Sequence, residues 1–221
     1  MRLILIRHGQ TQSNVEHIID TVVPGPGLTP LGRQQADALP DALKVERIDA
    51  IFASSQLRSQ QTAAPLAVAR GLQVDIRAGI REVEAGDYEG KRDRTSIHDF
   101  VSTEFAWVRG DLERRMPGAE TGTEAMARFD AVVAEASGAG YESVVFVSHG
   151  SIIRSWCGIR TDNVDVEFVY RNPLNNTGVV IVEGSESAGW HAVRWQEEAL
   201  GGRALDDPGH AGPVADEPRG A

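Results

Sequence analysis

Two short apolar runs in this chain end in the same way, and that pairing constrains the fold more than any other feature. Leu3-Ile4-Leu5-Ile6 runs into Arg7-His8-Gly9, and Val144-Val145-Phe146-Val147 runs into Ser148-His149-Gly150. A short apolar run closed by polar residues and glycine reads as a strand buried on both faces, the habit of parallel sheets covered by helices. In an open α/β sheet, ligands bind beyond the carboxyl ends of the strands. Two histidines, each one step past a buried strand, are therefore expected to converge there. The glycine after each lets backbone approach a ligand closely. A lone His-Gly would read as a turn; the repetition carries the weight.

The rest of the chain alternates strand and helix patterns. Thr29-Pro30 reads as an N-cap followed by a first-turn proline, opening a helix over residues 30–44 that Pro40 should kink or interrupt. Residues 50–53 read as a strand and 57–70 as a helix ending at Gly71, with Pro65 a distortion inside it. Val74 and Ile76 suggest a short strand. Residues 81–122 are irregular and charged, with helix around 95–109. Met126, Phe129, Val133 and Ala136 fall at helical spacing within 123–139. A strand over 143–148, a helix from Ser151, and strands over 179–182 and 193–195 complete the series. Such alternation predicts a three-layer α/β/α sandwich with a mostly parallel central sheet. One domain is expected over 1–200, with a small helical cap over about 91–117 and a Gly-, Pro- and Asp-rich tail over 201–221.

Charge removes some functions. A formal net charge of −10 over 221 residues argues against nucleic-acid or anionic-membrane binding, which needs a broad basic surface. It leaves room for a small anionic substrate, because a few buried arginines act at short range while distant surface charge is screened. Cys157 is the only cysteine, so no internal disulfide is expected and a reducing, cytoplasmic compartment fits best. The apolar run at 3–6 is too short for a secretory or membrane segment and is cut off by Arg7. His17, His98, His191 and His210 lack metal-ligand spacing, and no metal or cofactor is expected. Gly25-Pro26-Gly27 follows no strand and reads as a turn rather than a nucleotide loop. The sequence is compatible with a homodimer.

The strand at 50–53 ends in Ser54-Ser55-Gln56-Leu57-Arg58, which opens a helix; a helix N-terminus carrying an arginine is a ready anion site. With that block in place, the chain resembles the histidine phosphatase superfamily, the phosphoglycerate-mutase-like group. The resemblance rests on Leu5-Ile6-Arg7-His8-Gly9-Gln10-Thr11 with Asn14, then Leu28-Thr29-Pro30-Leu31-Gly32-Arg33-Gln34-Gln35-Ala36. It continues through Ser54-Ser55-Gln56-Leu57-Arg58-Ser59-Gln60-Gln61-Thr62-Ala63, Arg81-Glu82 with Gly86-Asp87-Tyr88-Glu89-Gly90, Gly118-Ala119-Glu120-Thr121, and Val147-Ser148-His149-Gly150. Arg-His-Gly alone is weak; these blocks in the family's order, covering the chain to about Gly150, are specific.

The resemblance implies a metal-independent phosphomonoesterase acting on a small phosphorylated metabolite. His8 would be the nucleophile that becomes phosphohistidine, kept neutral by nearby arginine charge. Arg7, Arg58 and His149 would cradle the phosphoryl oxygens, with Asn14 and Gly150 beside them. Glu82 matches the family's general acid, which protonates the leaving oxygen and then activates water; Glu84 is its nearest rival. Residues 18–24 are more apolar than the entrance segment of many relatives, and Tyr88 replaces a common tryptophan. Two other readings use the same pocket: a phosphoglycerate-mutase-type isomerase and a non-catalytic phospho-ligand binding module. In the mutase branch an arginine follows the acid glutamate, where this chain has Val83, and the stretch 86–90 is closer to the phosphatase branch. Retention of His8 and Glu82 argues against a binding-only module.

Overall fold

The computed structural model describes residues 1–213; the remainder of the expected tail, 214–221, lies outside the described residues. Six strands form one sheet: β1 (Arg2–Arg7), β2 (Ala50–Ser54), β3 (Val74–Arg77), β4 (Ser143–Ser148), β5 (Val179–Ser185) and β6 (Gly189–Gln196), in the order β3-β2-β4-β1-β5-β6. β1, β2, β3 and β4 are mutually parallel, whereas β5 runs antiparallel to both β1 and β6.

Strand alternation places every second residue on opposite faces. Leu3, Leu5, Phe52, Val144, Phe146, Val180 and Val182 join a core with Phe100, Phe129 and Trp156. Their neighbours Ile4, Ile6, Ile51, Ala53, Val145, Val147 and Ile181 join a second core with Leu39, Leu43, Ala63 and Leu66. The helices supplying these partners are α5 (Arg94–Val108), α6 (Gly122–Gly138) and α7 (Gly150–Arg160) on the first face. On the second face they are α3 (Leu39–Ala42) and α4 (Leu57–Arg70). The result is the expected three-layer sandwich. The cap region is built into it: Phe100, Phe105 and Trp107 of α5 belong to the first core.

Local chemistry explains most boundaries. Thr29 Oγ1 accepts from Gly32 N at 3.0 Å and starts α2 (Pro30–Asp37); the chain then breaks at Ala38, and Pro40 lies in the first turn of α3. Proline can occupy a first turn because that N–H has no helical partner. Thr121 and Glu124 form a capping box at the start of α6, so it begins at Gly122 rather than Thr123. Pro65 leaves α4 continuous over 14 residues, and Gly71, at φ +64°, terminates it in the left-handed conformation. Two short helices have no counterpart in the sequence reading: α1 (Gln12–Val15), nucleated by the Thr11–Asn14 capping box, and α8 (Val166–Arg171), capped by Asp165. Elements of four or six residues carry too little periodicity to register.

Residues 201–213, read from composition as tail, pack back onto the carboxyl end of the sheet. Gln35 Nε2 donates to Leu205 O at 2.8 Å, Asn175 Nδ2 to Asp206 at 3.1 Å, and Gln10 Nε2 to Asp207 Oδ2 at 3.0 Å. Composition counts the segment's own apolar side chains, whereas its docking uses amides supplied by other elements. Among the described residues, no helix is long and apolar enough to cross a membrane.

Candidate active site

Sheet order assembles the site. β4 lies between β1 and β2, so the residues following these three strands meet. The register pairs Arg7 with Ser148, and His8 N donates to Ser148 O at 3.0 Å, carrying His8 and His149 forward side by side. Their ring centroids are 5.0 Å apart, and both side chains are buried.

The contacts of His8 define its reactive atom. Nδ1 lies 2.8 Å from Gly9 O, and a carbonyl only accepts, so Nδ1 carries the proton. Nε2 is then the lone-pair nitrogen, and Arg58 Nε donates to it at 3.1 Å. Burial chiefly, with Arg58 and Arg7 charge added, holds the His8 pKa well below 6.5. The ranking differs from the sequence expectation, which credited arginine charge alone: the low-dielectric surroundings do more. His149 is lowered likewise, by burial first and then by Arg58, His8 and Arg7. Its Nε2 lies 2.6 Å from Ser54 Oγ and 3.2 Å from Ser59 Oγ, leaving buried Nδ1 without a hydrogen-bond partner.

Arg58 enters from the first turn of α4. Its Nη2 donates to Asp20 O at 3.0 Å, and Nη1 stands 3.9 Å from Asp20 Oδ1. Gly25 has φ +66°, and a Cβ there would sit 2.9 Å from Arg58 Nη1, so the turn read at 25–27 has to be bare where the guanidinium passes. Arg7 Nη1 donates to Leu174 O at 2.5 Å, and Nη2 donates to Ala211 O. Gly150, at the start of α7, leaves the Arg7 side chain room: a Cβ there would lie 3.2 Å from Arg7 Nε. Asn14 Oδ1 accepts from Thr11 N at 3.0 Å and from Asn176 Nδ2 at 3.1 Å.

Glu82 sits across the same pocket, which Arg7, His8, Asn14, Arg58 and Gly150 also line. Its Oε1 accepts from Ile152 N at 2.9 Å and Oε2 from Ser151 N at 3.3 Å, so the carboxyl is seated on the first turn of α7. Glu84 is turned away and ion-paired with Arg81. The structure therefore brings all seven expected positions, Arg7, His8, Asn14, Arg58, Glu82, His149 and Gly150, to one place.

Of the other contributors, Asn176 and Arg128 have no motif to announce them, and Gln56 sits in the Ser54 to Arg58 block without a role of its own being read there. Asn176 Nδ2 bridges His8 O and Asn14 Oδ1, each at 3.1 Å, from the loop before β5. Gln56 Oε1 accepts from Glu82 N at 3.0 Å. Arg128 of α6 donates to Gly79 O at 2.8 Å, Arg81 O at 2.7 Å and Glu82 O at 3.0 Å while paired with Glu120 at 2.7 Å. A Gly-Ala-Glu-Thr block in the resemblance pointed at Glu120, but nothing in the sequence linked it to Arg128. Among the described residues, no group of three or more His, Cys, Asp or Glu side chains is placed to hold a metal ion.

A parallel-centred α/β sheet whose carboxyl edge gathers two neutral buried histidines and two arginines defines a class of protein built around an anion pocket. The chain belongs to the histidine phosphatase superfamily (branch 1), whose sequence profile matches residues 3–198. It is 34% identical over 220 residues to the PE-PGRS family protein PE_PGRS11 of Mycobacterium tuberculosis, covering 90% of this chain but only 37% of that longer protein. It is 31% identical to a protein of Enterobacter sp. named "Probable phosphoglycerate mutase GpmB", covering 91% of this chain and 93% of the relative. Among solved structures, a mycobacterial glucosyl-3-phosphoglycerate phosphatase in complex with VO3 superposes with a TM-score of 0.74 at 27% identity. That match covers 89% of this chain and 99% of the other.

Proposed function

We propose that this chain is a phosphomonoester hydrolase that removes the phosphoryl group of a small phosphorylated metabolite by way of a phosphohistidine at His8. The observation that carries it is the His8 ring: Nδ1–H is held by Gly9 O and the Nε2 lone pair faces the pocket beside Arg58 and His149. In this mechanism Nε2 attacks phosphorus as the ester bond breaks, and Arg58 turns from the ring to a phosphoryl oxygen as substrate arrives. Arg58, Arg7 and His149, in the tautomer that carries its proton on the unpartnered Nδ1, take the charge that grows on the equatorial oxygens. Glu82 gives its proton to the leaving oxygen, releasing an alcohol. As carboxylate it then takes a proton from the water that attacks the phosphohistidine, releasing inorganic phosphate and restoring neutral His8. A cytoplasmic setting belongs to the same reading and rests on a lone, buried thiol at Cys157.

The mutase reading has a specific observation behind it, the 31% identity to a protein named as a phosphoglycerate mutase. Against it, Val83, where mutases carry arginine, is fully buried in the first core and presents nothing to a second anionic group. The test is rapid quench with a phosphorus-labelled substrate. Acid-labile, base-stable label is expected on His8 and absent from His8→Ala, and with a phosphoglycerate plus a bisphosphoglycerate primer, phosphate release should outrun isomer exchange. Label on Ser54 or Ser55 refutes the covalent step; faster isomer exchange makes the protein a mutase.

A further inference from the structure

We propose that residues 206–213 act as an internal ligand of the phosphate pocket, a strap that incoming phosphate has to displace. The proposal rests on the phosphatase assignment, because it takes Arg7 and Asn14 as phosphate donors. Arg7 Nη2, one of the two guanidinium nitrogens expected to hold a phosphoryl oxygen, donates instead to the carbonyl of Ala211. The next residue stands at the other expected donor: a Cβ on Gly212 would lie 2.9 Å from Asn14 Nδ2 and 3.5 Å from Arg7 Nη2. Gly212 and Pro213 line the same pocket as His8 and Glu82, and Ala211 is fully buried. A carbonyl oxygen on a guanidinium is the neutral counterpart of a phosphoryl oxygen. Both accept along the N–H direction, and the charged acceptor makes the stronger bond.

The strap is built to hold and to let go. None of its side chains joins either hydrophobic core, and it is tethered by Gln10 to Asp207 and Asn175 to Asp206, with a ring contact between His210 and His17 at 6.1 Å. Gly212 has φ +103°, a conformation that leaves no room for a side chain between the two donors. The core cluster on this face of the sheet takes one nearby side chain, Leu200, before the strap begins. Segments with few apolar contacts open at low free-energy cost. A dianionic phosphate competes for the same N–H groups and wins on charge, so the apparent affinity is the intrinsic affinity reduced by the fraction of strap already open.

Amide hydrogen exchange on the intact chain, with and without inorganic phosphate, tests the displacement directly. Faster exchange over 206–212 in the presence of phosphate is expected; slower exchange would mean that the segment closes over the ligand, and would overturn the proposal. A second measurement compares the intact chain with chains ending at Pro213 and at His210. Removal of 214–221 alone should leave phosphate inhibition unchanged, whereas loss of 211–213 as well should tighten it about tenfold, as for a strap closed about nine-tenths of the time. Equal or weaker inhibition in the His210-terminated chain overturns the strap while leaving the phosphatase assignment standing. Absence of phosphate binding in all three chains overturns both.

Discussion

His8, the proposed nucleophile, owes its preparation to its neighbours. Gly9 O selects the tautomer, burial keeps the ring neutral, and Asn176 fixes the backbone carbonyl from a loop 168 residues away. Glu82 is prepared differently, by seating on the amides of Ser151 and Ile152. That seat makes a sharp expectation for Glu82→Gln. Glutamine keeps the size and an accepting oxygen but loses the transferable proton, so binding should survive. Single-turnover phosphorylation of His8 should fall about 10²–10⁴-fold for alkyl phosphates, the usual worth of general acid catalysis, and far less for an aryl phosphate whose phenolate leaves unprotonated. Equal slowing of both classes in the burst phase would remove Glu82 from the acid role and turn attention to Glu84.

At the scale of elements, the site depends on a helix, α6, that contributes nothing to the pocket lining. α6 reaches around the first core to clamp the loop before Glu82, with Arg128 donating to three backbone carbonyls and paired to Glu120. Both partners are largely buried, with side-chain exposures of 12% and 7%. Arg128→Met leaves Glu120 with only Arg81 at 4.0 Å and the Glu84 amide at 3.1 Å, and should cost about 3 kcal/mol of stability, the low end for breaking a buried pair from one side. The double variant Arg128→Met, Glu120→Leu should recover most of that stability in chemical denaturation. It should not recover kcat with an alkyl phosphate, because the carbonyls of Gly79, Arg81 and Glu82 stay unclamped. Joint recovery of stability and kcat would show that Arg128 matters for folding alone.

The whole molecule carries two neutral histidines at the junction of its parallel strands, and its stability should depend on pH accordingly. Both folded-state pKa values lie well below 6.5, the value an exposed histidine has in the unfolded chain. As pH falls through about 6.5 the unfolded chain binds protons that the native state refuses, so stability is lost on the acid side and is fully present above that pH. Each histidine contributes a slope of up to about 1.4 kcal/mol per pH unit in that window. Urea denaturation between about pH 7.5 and 5.5 should show this slope, and it should flatten in His8→Gln and in His149→Gln. A slope equal in wild type and both variants would mean that the histidines titrate normally in the folded protein.

What this chain's sequence determined alone follows from physics that is local along the chain. Four-residue apolar runs closed by polar residues and His-Gly specified two strands buried on both faces, and the Thr29-Pro30 cap specified where a helix begins. The ordered polar blocks pointed to the side chains that the fold gathers around one pocket. Three things required the tertiary structure. Placing β4 between β1 and β2 brings Arg7, His8, Arg58 and His149 within contact, a matter of strand order that no local pattern encodes. Asn176 and Arg128 reach the site across long sequence separations, and an isolated polar residue carries no signal of its distant partner. The segment at 201–213 reads as a solvated tail because its composition cannot build a core. It is held instead by the side-chain amides of Gln10, Gln35 and Asn175 and by the guanidinium of Arg7, groups that exist as a docking surface only after the sheet has formed.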